Sequence, residues 1–146
     1  MSKGKVVAVC ISDSKGVRKA PCPSGAFLEN YGMANDAHAE QGIKRQVSLL
    51  SVGSIEKMKA MGLNVGPGDF AENLTVEGLE LYTLIPGTRL AVGGEVILEI
   101  SQIGKACHTG CAIFKEVGKC IMPKEGVFAT VVKGGEIRAG DSIDVV

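Results

Sequence analysis

The sequence predicts a mainly β protein, a closed or half-closed β-barrel carrying a few short helices. Three observations point there. Short apolar runs rich in β-branched residues recur at regular spacing, the 20 glycines stand singly or in pairs between those runs, and paired glycines fall where tight turns are needed. With 146 residues, 45% of them hydrophobic, the chain is long enough to bury a real core and is expected to form one domain over 1–146.

Residues 5–12, containing Val6-Val7-Ala8-Val9-Cys10-Ile11, show no helical period and read as a buried first strand. Gly16, Pro21, Pro23 and Gly25 punctuate 15–26, so that stretch is expected to be a loop holding an exposed Cys22. Residues 26–40 fit neither period, and the breakers Gly32 and Asn35-Asp36 place the Asp36-Ala37-His38 cluster at an element end. Arg45-Gln46-Val47-Ser48-Leu49-Leu50 alternates polar with apolar as a strand does. Ser54 then caps a short helix whose Ile55, Met58 and Met61 make one core-packing stripe, with Gly62 as its stop.

Gly66-Pro67-Gly68-Asp69 is a rigid turn leading into a strand at Asn73-Leu74-Thr75-Val76. The clearest hairpin joins 88–92 to 95–103 through Gly93-Gly94, a pair suited to a two-residue type I′ turn, and it delivers the chain to Cys107. Beyond it, 110–117 reads as a short helix, 127–133 as a strand, Gly134-Gly135 as a second tight turn and 142–146 as a closing strand.

Composition narrows the function. Sixteen basic and sixteen acidic residues cancel, and with two tyrosines and no tryptophan the chain offers neither the field nor the stacking surfaces of a nucleic-acid binder. The N-terminal apolar run is too short for a signal peptide, closed by Asp13, Lys15 and Arg18, and nothing approaches a membrane span, so a cytoplasmic protein is expected. Five cysteines, an odd number without a secretory signal, argue for reduced thiols over a disulfide framework.

The densest reactive segment is Gly104-Lys105-Ala106-Cys107-His108-Thr109-Gly110-Cys111. A cation and an imidazole beside Cys107 favour its thiolate, the form that attacks electrophiles and binds soft metals, and the N-terminus of the helix expected after Gly110 would add to that effect. Cys10 and Cys120 lie in apolar surroundings and read as packing; Cys107 with Cys111 alone makes a poor tetrahedral zinc site. Of the two histidines, His108 points away from its neighbour Cys107 on an extended segment, which leaves His38 as the better partner for a cysteine–histidine pair. Asp36, Asp69 and Glu72 are read either as acid–base groups or as turn formers, and Arg45 as a fork for phosphate oxygens. Gly66-Pro67-Gly68 has neither the Walker lysine nor Rossmann spacing, which sets nucleotide hydrolysis aside.

Several blocks taken together, Asn35-Asp36-Ala37-His38-Ala39, Arg45-Gln46-Val47-Ser48-Leu49-Leu50, Gly68-Asp69-Phe70-Ala71-Glu72-Asn73-Leu74-Thr75, Gly104-Lys105-Ala106-Cys107-His108, Cys111-Ala112-Ile113-Phe114 and the ending from Gly126 to Asp141, resemble in order the MOSC family over nearly the whole chain. That family is named for the C-terminal domain of molybdenum-cofactor sulfurases and includes amidoxime-reducing proteins and bacterial proteins that detoxify N-hydroxylated bases. The resemblance implies a β-barrel-like fold, the molybdenum cofactor (molybdopterin) as ligand, and Cys107 as the residue that ligates molybdenum or handles sulfur destined for the cofactor. It implies catalytic roles for Cys107, His38 and Asp36, and cofactor contacts from Arg45, Glu72, Asn73 and His108. Two functions follow from it: reduction of N-hydroxylated compounds with a redox partner protein, or a carrier or sulfur-relay role in cofactor maturation with a biosynthetic partner. Asn35 stands where the family commonly has glycine, and asparagine tolerates a positive φ. Ala106 stands where the family commonly has proline.

Overall fold

The computed structural model describes residues 3–15, 17–104 and 122–146. Its main sheet closes on itself. β1 (Lys3–Ile11), β5 (Val47–Ser51), β6 (Leu74–Glu77), β7 (Arg89–Val92), β8 (Val96–Ile103), β9 (Val127–Lys133) and β11 (Ser142–Val145) run around a barrel in the order β11, β7, β8, β9, β5, β6, β1, and β1 then pairs back onto β11. Closure removes the unpaired edges that an open sheet would present. All neighbours are antiparallel except β5 and β6, which run parallel with Leu49 opposite Leu74.

The short strand β2 (Ala20–Cys22) extends the sheet by pairing with the end of β1, and a second sheet is formed by β10 (Gly135–Arg138), β3 (Ser24–Leu28) and β4 (Gly32–Met33). Ala20–Cys22 and Ser24–Leu28 are therefore strands where the sequence suggested a loop. Pro21 is tolerated because β2 is an edge strand, facing Cys10 of β1 on one side only. Cys22 is half-buried, with its Sγ donating to the Val9 carbonyl at 3.4 Å.

The lumen is filled by inward residues from every side, among them Val9, Val47, Leu49, Leu74, Val76, Leu90, Leu98, Ile100 and Ala129. A second, smaller cluster lies on the outer face of the β5–β9 wall. Leu50 and Phe128 project there and are covered by Ile55, Met58, Val65, Phe70 and Ala71. That covering explains why β5, which alternates in sequence, is buried at all five positions.

The covering helix α1 (Val52–Ala60) begins at an N-cap Ser51, three residues before the Ser54 expected to cap it. Ser51 makes no cap because its Oγ donates to the Leu79 carbonyl at 2.7 Å, and Ser54 instead lies inside the helix, donating to Glu125 at 2.6 Å. Ile55 and Met58 face the core as the stripe requires, while Met61 is 56% exposed beyond the helix end.

The hairpin β7–β8 forms, with Val92 opposite Val96, so its loop has three residues instead of two. Gly134-Gly135 turns the chain out of β9, but the following β10 pairs with β3 and not with β9. Glycine is required at 134 because a Cβ there would lie 2.6 Å from the Phe27 carbonyl oxygen on β3. The helix expected at 110–117 lies outside the described residues. No described helix is long and apolar enough to cross a membrane.

Candidate functional site

A cavity of about 170 Å³ opens on the outer face of the β5–β9 wall, lined by Lys15, His38, Ile43, Arg45, Ser48, Phe70, Ala71 and Phe128. Ser48 and Phe128 are register partners on β5 and β9, so the barrel wall itself is its floor. The 66–71 segment forms one side and the 38–45 segment another.

Gly68 sets the first side. Its φ of +86° and its approach to β2 exclude a side chain, because a Cβ would sit 2.1 Å from the Lys19 carbonyl oxygen, and the Lys19 N–H donates to the Gly68 carbonyl at 2.8 Å. Directly after it, Glu72 is fully buried and accepts from Gly68 N–H at 3.0 Å, Phe70 N–H at 3.3 Å and the Thr75 hydroxyl at 2.7 Å. Burial pushes the Glu72 carboxyl above its ordinary value even though those donors pull the other way. Between them Ala71 is held at a φ of +64°, a left-handed conformation costing an L-residue about 1 kcal/mol or more. Asn73 fixes this side to the barrel: its Oδ1 accepts from Ser48 N–H at 3.0 Å, and its Nδ2 donates to the Cys10 carbonyl at 3.2 Å.

The second side carries the charges. Asp36 and Lys19 are both inaccessible to solvent and lie 2.7 Å apart, Nζ to Oδ1. Asp36 also accepts from Ser12 N–H at 3.1 Å through Oδ1 and from His38 N–H at 3.1 Å through Oδ2. Burial alone would raise the Asp36 carboxyl, but the Lys19 ammonium and these two amides hold it below its ordinary value. The same ammonium reaches His38 Nδ1 at 3.0 Å, so Lys19 bridges the carboxylate and the imidazole. Asn35, just before this group, has a φ of +69°, which is the tolerance read from its side chain.

Arg45 is exposed at the mouth, its guanidinium 5.7 Å from the Phe128 ring centroid. Lys15 adds a second cation to the rim. The site therefore joins an apolar floor to cations and one imidazole, a combination suited to a ligand with a flat ring and an anionic group. Among the described residues no group of three His, Cys, Asp or Glu side chains is arranged to hold a metal.

Of the residues singled out from sequence, His38 and Arg45 line the cavity and Asp36 backs His38. Glu72 and Asn73 do not line it; both are buried behind its walls. Cys107 and His108 lie outside the described residues. The described chain on either side of them is joined at Gly104, whose N–H donates to the Gly126 carbonyl at 2.7 Å. Lys19, Lys15 and the apolar lining residues Ile43, Phe70 and Phe128 carry no chemical signature that singles them out in sequence. The position of Phe70 inside the Gly68–Thr75 block was a usable signal; Lys19 had none, since its partner Asp36 is 17 residues away.

A family model described as the MOSC domain matches residues 36–144. Among solved structures, the chain is similar to the YuaD protein from Bacillus subtilis, at 19% identity and a TM-score of 0.80 over 98% of this chain and 95% of that one. YiiM from Geobacillus stearothermophilus gives 18% identity and a TM-score of 0.72, covering 98% of this chain and 75% of its own. YiiM from Escherichia coli gives 17% and 0.68, covering 97% and 69%. At these identities the likeness is one of fold. No curated protein matches the sequence.

Proposed function

The chain belongs to the MOSC domain family, and from that premise we propose that it is a molybdenum-cofactor-binding protein that reduces N-hydroxylated compounds, with Cys107 as the protein's ligand to molybdenum. The observation that carries this reading is the cavity in which Arg45, Lys15 and His38 stand over Phe70 and Phe128. A pterin phosphate presents a flat ring and an anion to such a surface. Its volume of about 170 Å³ is below the roughly 300–1,000 Å³ of a site enclosing a whole drug-sized ligand. The described walls thus suit the anionic end of the cofactor, and the metal end is assigned to Cys107 with His108 beside it. Cys107 follows Gly104 by three residues, a reach of about 10 Å of extended chain, and β8 brings that strand end alongside Phe128 through its pairing with Gln102.

When bound, the cofactor supplies two-electron chemistry that converts an N-hydroxyl group to N–H with release of water. The chain's own residues do the rest. Arg45 forks onto phosphate oxygens with Lys15 adding charge; Glu72 and Asn73 hold the wall in place from behind; His38, backed by Asp36, manages a proton at the cavity. Electrons come from a redox partner protein, and the free thiols Cys10 and Cys22 suit a reducing, cytoplasmic setting.

The small described volume favours a second reading, a carrier or sulfur-relay module that docks the cofactor, or holds a Cys107 persulfide, without turning over substrate. Expression in cofactor-competent cells, with molybdenum and pterin quantified and reduction of an N-hydroxylated base assayed, separates the two. We expect bound molybdenum and turnover in the parent and at least a tenfold loss of both in Cys107→Ala. Equal metal retention in the variant would remove Cys107 as ligand. Cofactor without turnover, or a persulfide on Cys107 by mass, would favour the carrier.

A further inference from the structure

We propose that Lys19 is a positioning residue for this site: held by Asp36, it fixes His38 as a neutral imidazole protonated at Nε2, so that the ring meets the cavity as a hydrogen-bond donor. The inference rests on the reading of the cavity as the functional site, but the geometry that carries it is local.

Lys19 is 2% exposed overall and its side chain is sealed from solvent, a costly location for an ammonium unless it is paired and hydrogen-bonded. Asp36 supplies the pairing at 2.7 Å. The second contact is to His38 Nδ1 at 3.0 Å. An ammonium has three donors and no lone pair, so the nitrogen it meets must accept. Nδ1 is then unprotonated and the ring proton of the neutral imidazole resides on Nε2.

The alternative arrangement is close by. His38 Nδ1 also lies 4.0 Å from Asp36 Oδ2, and a carboxylate at that range favours a proton on Nδ1. Lys19 thus decides between two states of one ring: with the ammonium in place Nδ1 accepts, and without it Nδ1 donates toward Asp36. The other described charges at the cavity, Lys15 and Arg45, are cations on the rim. The His38 side chain is 34% exposed, enough for the ring to touch a ligand while its Nδ1 edge is engaged. None of this is visible in the Asp36-Ala37-His38 block by itself, because the residue that sets the tautomer arrives from the edge of β2.

The test uses the full chain labelled with ¹⁵N and reads long-range ¹H–¹⁵N correlations of the imidazoles, which separate the two neutral tautomers and the imidazolium; the His38 signal is assigned by its loss in His38→Gln. We expect the parent to show one state near neutral pH, Nε2 protonated and Nδ1 accepting. Lys19→Met should move His38 to a state protonated at Nδ1. Should that variant fail to fold, Lys19→Met combined with Asp36→Asn removes both buried charges, and the single-tautomer pattern should then give way to a mixture. A His38 spectrum unchanged from the parent in either folded variant would overturn the proposal, as would Nδ1 protonation in the parent. Molybdenum content is read on the same samples. A tautomer change in a protein that binds no cofactor would keep the role of Lys19 and remove the functional reading, and an unchanged tautomer in a cofactor-bearing protein would do the reverse.

Discussion

Inside the barrel, Leu49, Leu74, Leu90, Leu98 and Ile100 pack against one another at or near zero exposure. One strand thickness away, Ser48 and Phe128 of the same β5–β9 wall face a cavity backed by a buried lysine, two buried carboxylates and an alanine in left-handed backbone. The inner face, as formed by the described residues, is an apolar cluster that owes its stability to area removed from water. The outer face keeps its polar groups only because each is matched: Asp36 by Lys19, Glu72 by three donors, Asn73 by partners on β1 and β5. Local consistency is relaxed where a site needs unusual geometry and maintained where only packing is needed.

Leu98→Ala should damage the inner face and leave the outer one intact. Truncating a sealed leucine in the lumen is expected to lower unfolding free energy by about 2–5 kcal/mol in a urea titration, while His38 keeps its parent ¹⁵N pattern because the cavity lies across the wall. A changed His38 signal in that variant would show that lumen and site are not separable.

Most of the inner face was legible in sequence, and less of the outer. β1, β7, β8, β9 and β11 declare themselves because inward residues are apolar and often β-branched, and the 93–95 turn has glycines to match. β2 and β3 were hidden by Pro21 and Gly25. The first is permitted by an edge strand, and the second by the Met33 side chain, whose Cε would lie 2.3 Å from a Cβ at Gly25. The parallel β5–β6 pairing leaves no local mark. His38, Asp36 and Arg45 were legible as candidates because their residue types carry chemistry wherever they stand. Lys19 was not, since a lysine in a Pro- and Gly-bordered stretch reads as solvated until the fold seals it against Asp36. Glu72 and Asn73 stand out in sequence as polar residues of the Gly68–Thr75 block, and the fold buries both behind the walls, where they make internal hydrogen bonds.

A smaller effect sharpens the same contrast through pH. The Asp36 carboxyl is held below its unfolded value, so the stability it contributes is fully present above about pH 4 and is lost as pH falls through the folded value. Glu72 is raised by burial, so its contribution has the opposite sign, full below about pH 4 and lost as pH rises through its folded value. Urea midpoints measured from pH 3 to 7 should therefore show a flatter acid limb for Lys19→Met with Asp36→Asn than for the parent. An identical acid limb in that folded variant would mean that the buried pair does not carry the acid sensitivity assigned to it.

If the anionic end of the cofactor sits in the outer-face cavity and not in the lumen, as proposed, it depends on the rim cations Lys15 and Arg45. Pterin content after expression in cofactor-competent cells decides this, with the parent compared with Lys15→Ala/Arg45→Ala. Both positions are exposed, so the folded state should keep its stability within about 0.5 kcal/mol. We expect a loss of bound pterin of about tenfold or more in that double variant at parent-like stability; pterin retained at the parent level would mean that the anionic end is held elsewhere.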